Sequence, residues 1–274
     1  MSTRDETLQI AVGDHTIAGT LIVPDTQMPG VLFLHGWGGS QAQSALRARE
    51  IAALGCACLT VDMRGHAQTV RQQATVTRED NLRDALAAYD TLAGEPVVDD
   101  RRIAVVGSSY GGYLATLLTT LRPVKWLALR APALYKDSEW NEPKLALRKM
   151  QGLETYRRRA LDPEDNRALR AAAAYRGDVL IVESGHDEII PREVIQNYRN
   201  AYTQARSITY RMIEGADHGL TDPSCRSAYT TLLVSWITEM IATGLTNDAP
   251  AQKRKQDAMK AVAGAVAPPS KAPA

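Results

Sequence analysis

Apolar residues along this chain fall into short compact runs, separated by longer stretches with a helical rhythm. Thr7–Val12 and Thr16–Val23 read as two strands joined by a tight hairpin turn at Gly13-Asp14. Val31–Leu34, Cys56–Val61, Ile103–Val106, Trp126–Leu129, Val179–Val182 and Ile208–Ile213 are apolar runs of strand length. Such runs suit strands buried on both faces. Helical periodicity lies between them, over Ser40–Leu54, Arg78–Leu92, Tyr113–Leu121 and Pro191–Tyr202. In the second of these Leu82, Leu86 and Tyr89 are in phase; in the third Leu114, Leu117, Leu118 and Leu121 share one side. A closing helix to about Met240 starts at Asp222-Pro223, with Asp at the N-cap and Pro at the first helical position. The alternation of strand and helix from residue 30 onward predicts an α/β fold: a mostly parallel, eight-stranded sheet with helices on both faces.

One segment interrupts the alternation. Between about 135 and 177 there is no apolar strand, and two helical stretches are expected instead, Pro143 to Arg159 and Pro163 to Tyr175. The segment reads as a small helical cap inserted into a domain spanning residues 1–244. Its basic residues, Lys144, Arg148, Lys149, Arg157, Arg158 and Arg159, are expected on a solvated helix face, the alternative being a basic lining for an anionic substrate. The tail from Leu245 to Ala274 is rich in Ala, Pro, Lys and Gln and has no aromatic residue, so it is expected to be disordered.

Composition narrows the function classes. The 274 residues carry a net charge of +1, which gives no field favouring nucleic acid or an acidic membrane surface. No run approaches the roughly 18 apolar residues a membrane helix needs. The start, Met1 to Glu6, is polar, so the expectation is a cytoplasmic chain with neither a nucleic-acid nor a membrane partner. Cys56 and Cys58 share one strand two residues apart, poor geometry for a disulfide, and are expected as thiols. The histidines are scattered and no H-E-x-x-H or Cys/His cluster occurs, so neither a metal nor another cofactor is expected.

The chemistry-bearing motif is Gly107-Ser108-Ser109-Tyr110-Gly111, between a strand and a helix. Strand, G-x-S-x-G and helix in that order form a nucleophile elbow, with the middle serine, Ser109, exposed on a strained turn. A serine hydroxyl is a weak nucleophile and needs a base within hydrogen-bond reach. Of five histidines only His186 and His218 follow Ser109, and His218 lies in a loop just past the last strand. Asp187, just after the strand Val179–Val182, is the candidate acid that orients the imidazole. Glu183 and Glu188 are its neighbours in sequence, and Asp217 adjoins His218 but is expected to diverge from it. Each residue read singly is an ordinary polar loop residue; together they follow three different strands in the order nucleophile, acid, base.

Acyl transfer also needs amide donors aimed where negative charge develops. The N–H of Tyr110, after the nucleophile, is one candidate. The glycine-rich loop His35-Gly36-Trp37-Gly38-Gly39 offers the other at Trp37, with Gly36 as the neighbouring possibility. His35 is expected to order that loop, and Arg64 to brace loops by ion pairing, with His66 structural. Trp140 and Tyr135 are candidate walls for the substrate.

The set His35-Gly36-Trp37-Gly38-Gly39, Asp62-Met63-Arg64-Gly65-His66, Gly107–Gly112, Gly185–Pro191 and Asp217-His218-Gly219 resembles the α/β-hydrolase family over about residues 16–243. Within it the chain is most similar to small serine esterases of the dienelactone-hydrolase and prolyl-oligopeptidase-like branch. The resemblance implies Ser109 as nucleophile, Asp187 as acid and His218 as base. Dienelactone hydrolases proper carry cysteine at the elbow, whereas this chain carries serine. Peptidase members carry a large accessory domain that this sequence is expected to lack. The expected substrate is a small-molecule carboxylic ester with a short acyl group; the alternatives are a peptidase or amidase of the same branch and a non-catalytic binding protein on this fold.

Overall fold

A computed structural model describes residues 3–24 and 28–243. The expected disordered tail lies outside the described residues. In chain order the elements are β1 Thr3–Val12, β2 His15–Pro24, β3 Met28–Leu34, α1 Ala42–Ala53, β4 Ala57–Asp62, α2 Arg78–Gly94, β5 Val98–Ser108 and α3 Tyr110–Leu118. They continue as β6 Trp126–Arg130, α4 Leu147–Met150, α5 Leu153–Tyr156, α6 Arg167–Ala174, β7 Asp178–Ser184, α7 Arg192–Ala201 and β8 Ser207–Ile213. A helix over 223–243 closes the described chain, its first turn capped by the Asp222 carboxylate, which accepts from the amides of Ser224 (2.7 Å) and Cys225 (3.3 Å).

The sheet has eight strands in the order β1-β2-β4-β3-β5-β6-β7-β8. β1 pairs antiparallel with β2, and β2 antiparallel with β4; every other pairing is parallel. The hairpin turn is the expected two-residue Gly13-Asp14, with Val12 opposite His15. Alternation along the strands divides the core. Leu32, Leu34, Leu59, Val61, Val105 and Leu129 face one side, where they cluster with Leu82 and Tyr89 of α2 and Leu114 of α3. Helix α1 packs against β4, and its Ile51 is fully buried, as are Val31, Phe33 and Cys58 at the alternate strand positions. Burying both faces is what removes polar residues from the central strands.

Parallel pairing has one consequence for function. The C-terminal ends of β3, β5, β6, β7 and β8 lie along one edge of the sheet, so the loops that follow them share that edge. Four of those loops carry Trp37, Ser109, Asp187 and His218.

Two helices expected in the cap are broken. In place of one helix over 143–159 there is a 3-10 turn, Lys144–Ala146, then α4, then Gly152 with φ +56°, then α5. Residues 163–175 divide into a 3-10 turn, Pro163–Asp165, and α6, because Asn166 is extended and caps α6 by accepting from Ala168 at 2.9 Å. A further 3-10 segment, Ala67–Ala74, had no signature in the apolar pattern. The contacts divide the chain into two units, Met1–Trp236 and Ile237–Ala274. The first holds the whole sheet; the second is described only over 237–243, which is helical. No helix among the described residues is long and apolar enough to cross a membrane.

Candidate active site

Ser109 sits where β5 meets α3, with φ 51° and ψ −113°. A non-glycine residue held in so sparsely populated a region costs about 1–3 kcal/mol and persists only where the surroundings fix it. Here three backbone bonds do so: the Ser109 amide donates to the Arg130 carbonyl (2.9 Å), and its carbonyl accepts from Tyr113 (3.1 Å) and Ala133 (2.9 Å). The turn also requires bare backbone. A Cβ on Gly111 would stand 2.2 Å from the Leu34 carbonyl oxygen, and one on Gly107 would stand 2.5 Å from that of Gly111.

The structure brings Ser109, His218 and Asp187 together. His218 Nδ1 lies 2.7 Å from Asp187 Oδ2, and Nε2 lies 3.0 Å from Ser109 Oγ. With Asp187 as acceptor, Nδ1 carries the proton and Nε2 is left to accept from the serine hydroxyl. The other Asp187 oxygen accepts from the amides of Ile189 (2.9 Å) and Ile190 (2.8 Å), which fixes the carboxylate in an Asx turn. Burial works to raise the Asp187 pKa, but the His218 hydrogen bond and the two amides outweigh it and hold the carboxyl below its ordinary value. Asp217 is engaged elsewhere, with the amide (2.8 Å) and hydroxyl (2.6 Å) of Thr221. Glu183 accepts from the Tyr210 hydroxyl at 2.5 Å. His186 is exposed, and its amide bonds the Ala216 carbonyl.

Tyr110 opens α3, so its amide is among the first four of the helix, which have no intrahelical acceptor. The loop after β3 closes a turn from the Gly39 amide to the Gly36 carbonyl (3.0 Å) that leaves the Trp37 amide unused by the turn. This loop passes close to Ser109: a Cβ on Gly36 would lie 3.4 Å from Ser109 Cβ. His35 orders it from within. Its Nε2 accepts from the Met63 amide (3.1 Å), so Nδ1 carries the proton and donates to the Gly36 carbonyl (2.8 Å). Burial, followed by the neighbouring His66, lowers the His35 pKa to about 4, which keeps the ring neutral.

Arg64 braces the loop after β4. Its Nε lies 2.6 Å from Asp84 and its Nη2 donates to the Asp80 carbonyl at 2.6 Å, inside the protein. His66 directs Nδ1 at the carbonyls of Met63 (3.1 Å) and Arg64 (3.0 Å) and packs edge-on to Trp37, ring centres 4.8 Å apart. It belongs to the scaffold behind the loop.

Two cavities meet at Ser109, Trp37 and His218. The first, about 450 Å³, lies over the loop after β3 and is also lined by Arg47, Arg130 and Arg226. The second, about 330 Å³, lies under the cap and is also lined by Tyr135, Lys144, Leu153 and Arg157. Tyr135 thus stands where a substrate wall was expected. Trp140 does not. Its indole N–H donates to Glu79 (2.7 Å), and its ring is flanked by the guanidinium groups of Arg167 (4.0 Å) and Arg78 (5.0 Å). These partners hold it against the N-terminus of α2, outside both cavities. Two basic residues of the cap also depart from expectation: Lys144 and Arg157 are buried and line the second cavity, while Arg148 and Arg158 line it from exposed positions. The reason is the break at Gly152, since a segment of short turns has no single outer face.

One supporting residue escaped the sequence reading. Arg130, buried at the end of β6, donates through Nη1 to Ser184 Oγ (3.0 Å) and through Nη2 to the carbonyl of His218 (2.5 Å). It ties the histidine loop to the sheet. The only signal for it was a charged residue directly after an apolar strand.

Comparison with known proteins agrees with this architecture. Residues 42–244 match the prolyl oligopeptidase family. An uncharacterized protein of Mycobacterium tuberculosis is 28% identical over 192 residues, which is 69% of this chain and 63% of the relative, so the chain spans somewhat under two thirds of that protein's length. Among solved structures, a dienelactone hydrolase from Anabaena variabilis superposes with a TM-score of 0.63 at 20% identity, over 86% of this chain and 98% of that one. Est1E from Butyrivibrio proteoclasticus gives 0.64 at 19% identity, over 86% and 99%. The acylaminoacyl peptidase of Pyrococcus horikoshii gives 0.65 at 17% identity, over 88% of this chain and 42% of the peptidase. With a family match over most of its length and an eight-stranded sheet carrying a serine elbow, the chain is a hydrolase-type α/β protein that belongs to the prolyl oligopeptidase family.

Proposed function

We propose that this protein is a serine hydrolase that cleaves carboxylic esters of small molecules through an acyl-enzyme. The observation that carries this reading is the hydrogen-bonded chain from Ser109 through His218 to Asp187 on the strained elbow. Ser109 Oγ attacks the ester carbonyl carbon while its proton passes to His218 Nε2. The tetrahedral oxyanion is held by the amides of Tyr110 and Trp37. As the C–O bond breaks, His218 returns the proton to the leaving alcohol. Water, deprotonated by the same imidazole, then attacks the acyl carbon, and the Ser109 ester opens to release the acid. Asp187 fixes the imidazole tautomer and stabilises the imidazolium formed at each step.

Ester substrates are favoured over larger ones by the two modest cavities at Ser109, which suit acyl groups from acetyl to about butyryl. The family match supports a second reading, cleavage of an amide or peptide by the same three side chains. A fluorophosphonate probe should label wild type in a 1:1 ratio and leave Ser109→Ala unlabelled. A graded panel of p-nitrophenyl esters and aminoacyl p-nitroanilides then separates the readings. The expected result is rapid turnover of acetyl to butyryl esters. Dominant turnover of anilides would replace the ester reading, and absent labelling would remove both.

A further inference from the structure

Lys144 has an unusual setting for a lysine. It is only 7% exposed, yet among the described residues it has neither a hydrogen bond nor an ion pair through its side chain. Lysine is almost never buried to this extent without a partner. Its ammonium sits against three aromatic rings, 4.3 Å from the centre of Trp37 and 5.0 Å from those of Tyr110 and Tyr135. Ring faces attract the charge but do not replace oxygen acceptors for three N–H donors. The position is fixed by backbone: the Lys144 amide donates to the Val76 carbonyl (2.8 Å), and Pro143 bridges to Thr77. The residue lines the same cavity as Ser109 and His218.

We propose that Lys144 is a specificity-determining residue that receives an anionic oxygen of the substrate, so that the preferred ester carries a carboxylate on one of its two arms. This rests on the reading of Ser109 as nucleophile. The ammonium is not sealed among the rings but opens onto the cavity, so a carboxylate entering there can take the place of solvent as its acceptor in a charge-assisted hydrogen bond. Other charges on the cavity wall are placed to assist rather than to substitute. Arg157 is bound to the carbonyls of Leu134 (3.1 Å) and Ile189 (3.2 Å), and Arg148, Arg158, Glu154 and Glu188 line the cavity from exposed positions. Arg157 is as buried as Lys144 but already engaged by those two carbonyls, whereas the Lys144 ammonium has aromatic rings alone as its protein neighbours. The aromatic cage serves to hold the ammonium at one place while no substrate is bound.

The test compares matched esters in wild type and Lys144→Met, which keeps the stem and removes the charge. The acyl-side pair is mono(4-nitrophenyl) adipate against 4-nitrophenyl hexanoate. The alcohol-side pair is 3-(carboxymethyl)phenyl acetate against 3-methylphenyl acetate. In one pair, wild type should prefer the anion in kcat/KM, and the preference should fall roughly 10- to 100-fold in the variant. Which pair responds identifies the arm. Adipate binding, followed by calorimetry on wild type and variant, reads the same site without turnover and should weaken by a similar factor. Should Lys144→Met fail to fold, Lys144→Gln replaces it, with thermal melts as the control. Anion/neutral ratios that do not move, with adipate binding unchanged, would overturn the proposal and make Lys144 a purely structural cation. Loss of fluorophosphonate labelling in wild type would instead sink the hydrolase reading, and adipate binding would still decide whether the anion site exists.

Discussion

The elbow and the cap hold the two sides of Ser109 by different means. Around the elbow, backbone touches backbone: Gly107, Gly111 and the Leu34 carbonyl approach within distances no Cβ tolerates, and main-chain bonds from Arg130, Tyr113 and Ala133 fix the strained serine. In the cap the backbone is irregular and side chains do the tying. Arg78, fully buried, donates to the carbonyls of Lys136 (2.6 Å) and Ser138 (2.5 Å). Gln151 reaches Ser138 (2.8 Å), and Asn166 reaches the Tyr135 carbonyl (2.6 Å). A backbone-packed element has no freedom to vary, whereas a side-chain-tied one can exchange its contacts. The elbow therefore suits the reacting atoms and the cap suits the choice of substrate.

Gly111→Ala should break the first kind of packing outright. Its methyl has to enter the space of two carbonyl groups, 2.2 Å from that of Leu34 and 2.6 Å from that of His35, and neither can swing away as a flexible side chain would. The expected outcome is loss of soluble, cooperatively melting protein. A folded variant with wild-type labelling by fluorophosphonate would show the elbow to be far softer than its geometry. Asp187→Asn should come next. It keeps the fold but gives His218 Nδ1 a competing donor, and a drop in turnover on the order of 10⁴ is expected from the loss of the correct tautomer. A drop below tenfold would move the orienting role away from Asp187.

The cap should answer more gently. Arg78→Met removes both bonds to the 136–138 backbone and leaves those carbonyls to Gln151 alone. A loss of about 2 kcal/mol is expected by chemical denaturation. Turnover should fall less than KM rises, since the change loosens the wall and leaves the hydrogen-bonded chain at Ser109 intact. Equal damage to stability and turnover would mean that the cap fixes Ser109 as well.

The same contrast decides what could be read in the chain itself. The elbow was legible because only glycine fits at Gly107 and Gly111, so the steric demand is written as residue type. The strands around it were legible because burial on both faces removes polar residues from consecutive positions. Asp187 and His218 followed from their places after β7 and β8. The cap was not legible in this way. Its breaks at Gly152 and Asn166 interrupt any periodicity, and a basic run that looked like one solvated face turned Lys144 inward through a bond to Val76 from a distant element. Trp140 was assigned to a substrate wall by its size. It is instead flanked by Arg78 and Arg167, which are 62 and 27 positions away in the sequence. Arg130 acts across the sheet edge on His218, a contact that no local pattern encodes.

Acid should expose the scaffold behind the elbow. His35 is held neutral, with its pKa lowered from 6.5 to about 4, because burial and His66 oppose a second proton. The unfolded chain takes up that proton below about pH 6.5 and the folded one only near pH 4, so stability is full above this window and declines as pH falls through it. Between pH 7 and pH 5 the expected loss from this residue is about 2 kcal/mol. Thermal melts in His35→Gln should show a flatter pH dependence over that range. An identical slope would place the sensitivity at another group.

The smallest effect should come from the other glycine substitution, Gly152→Ala, between α4 and α5. Gly152 has φ +56°, a left-handed value that an alanine adopts at a cost of about 1 kcal/mol. Unlike Gly111 it faces open space, since a Cβ there meets nothing within 4 Å. The penalty is therefore conformational alone, with no clash added. Denaturant titration should show a shift of about 1 kcal/mol, and turnover of a butyryl ester should stay within twofold. Both substitutions add one methyl group to a glycine, and the difference between them measures how much of each region is held by its backbone. A Gly152→Ala variant as damaged as Gly111→Ala would erase that distinction and make the cap turn as demanding as the elbow.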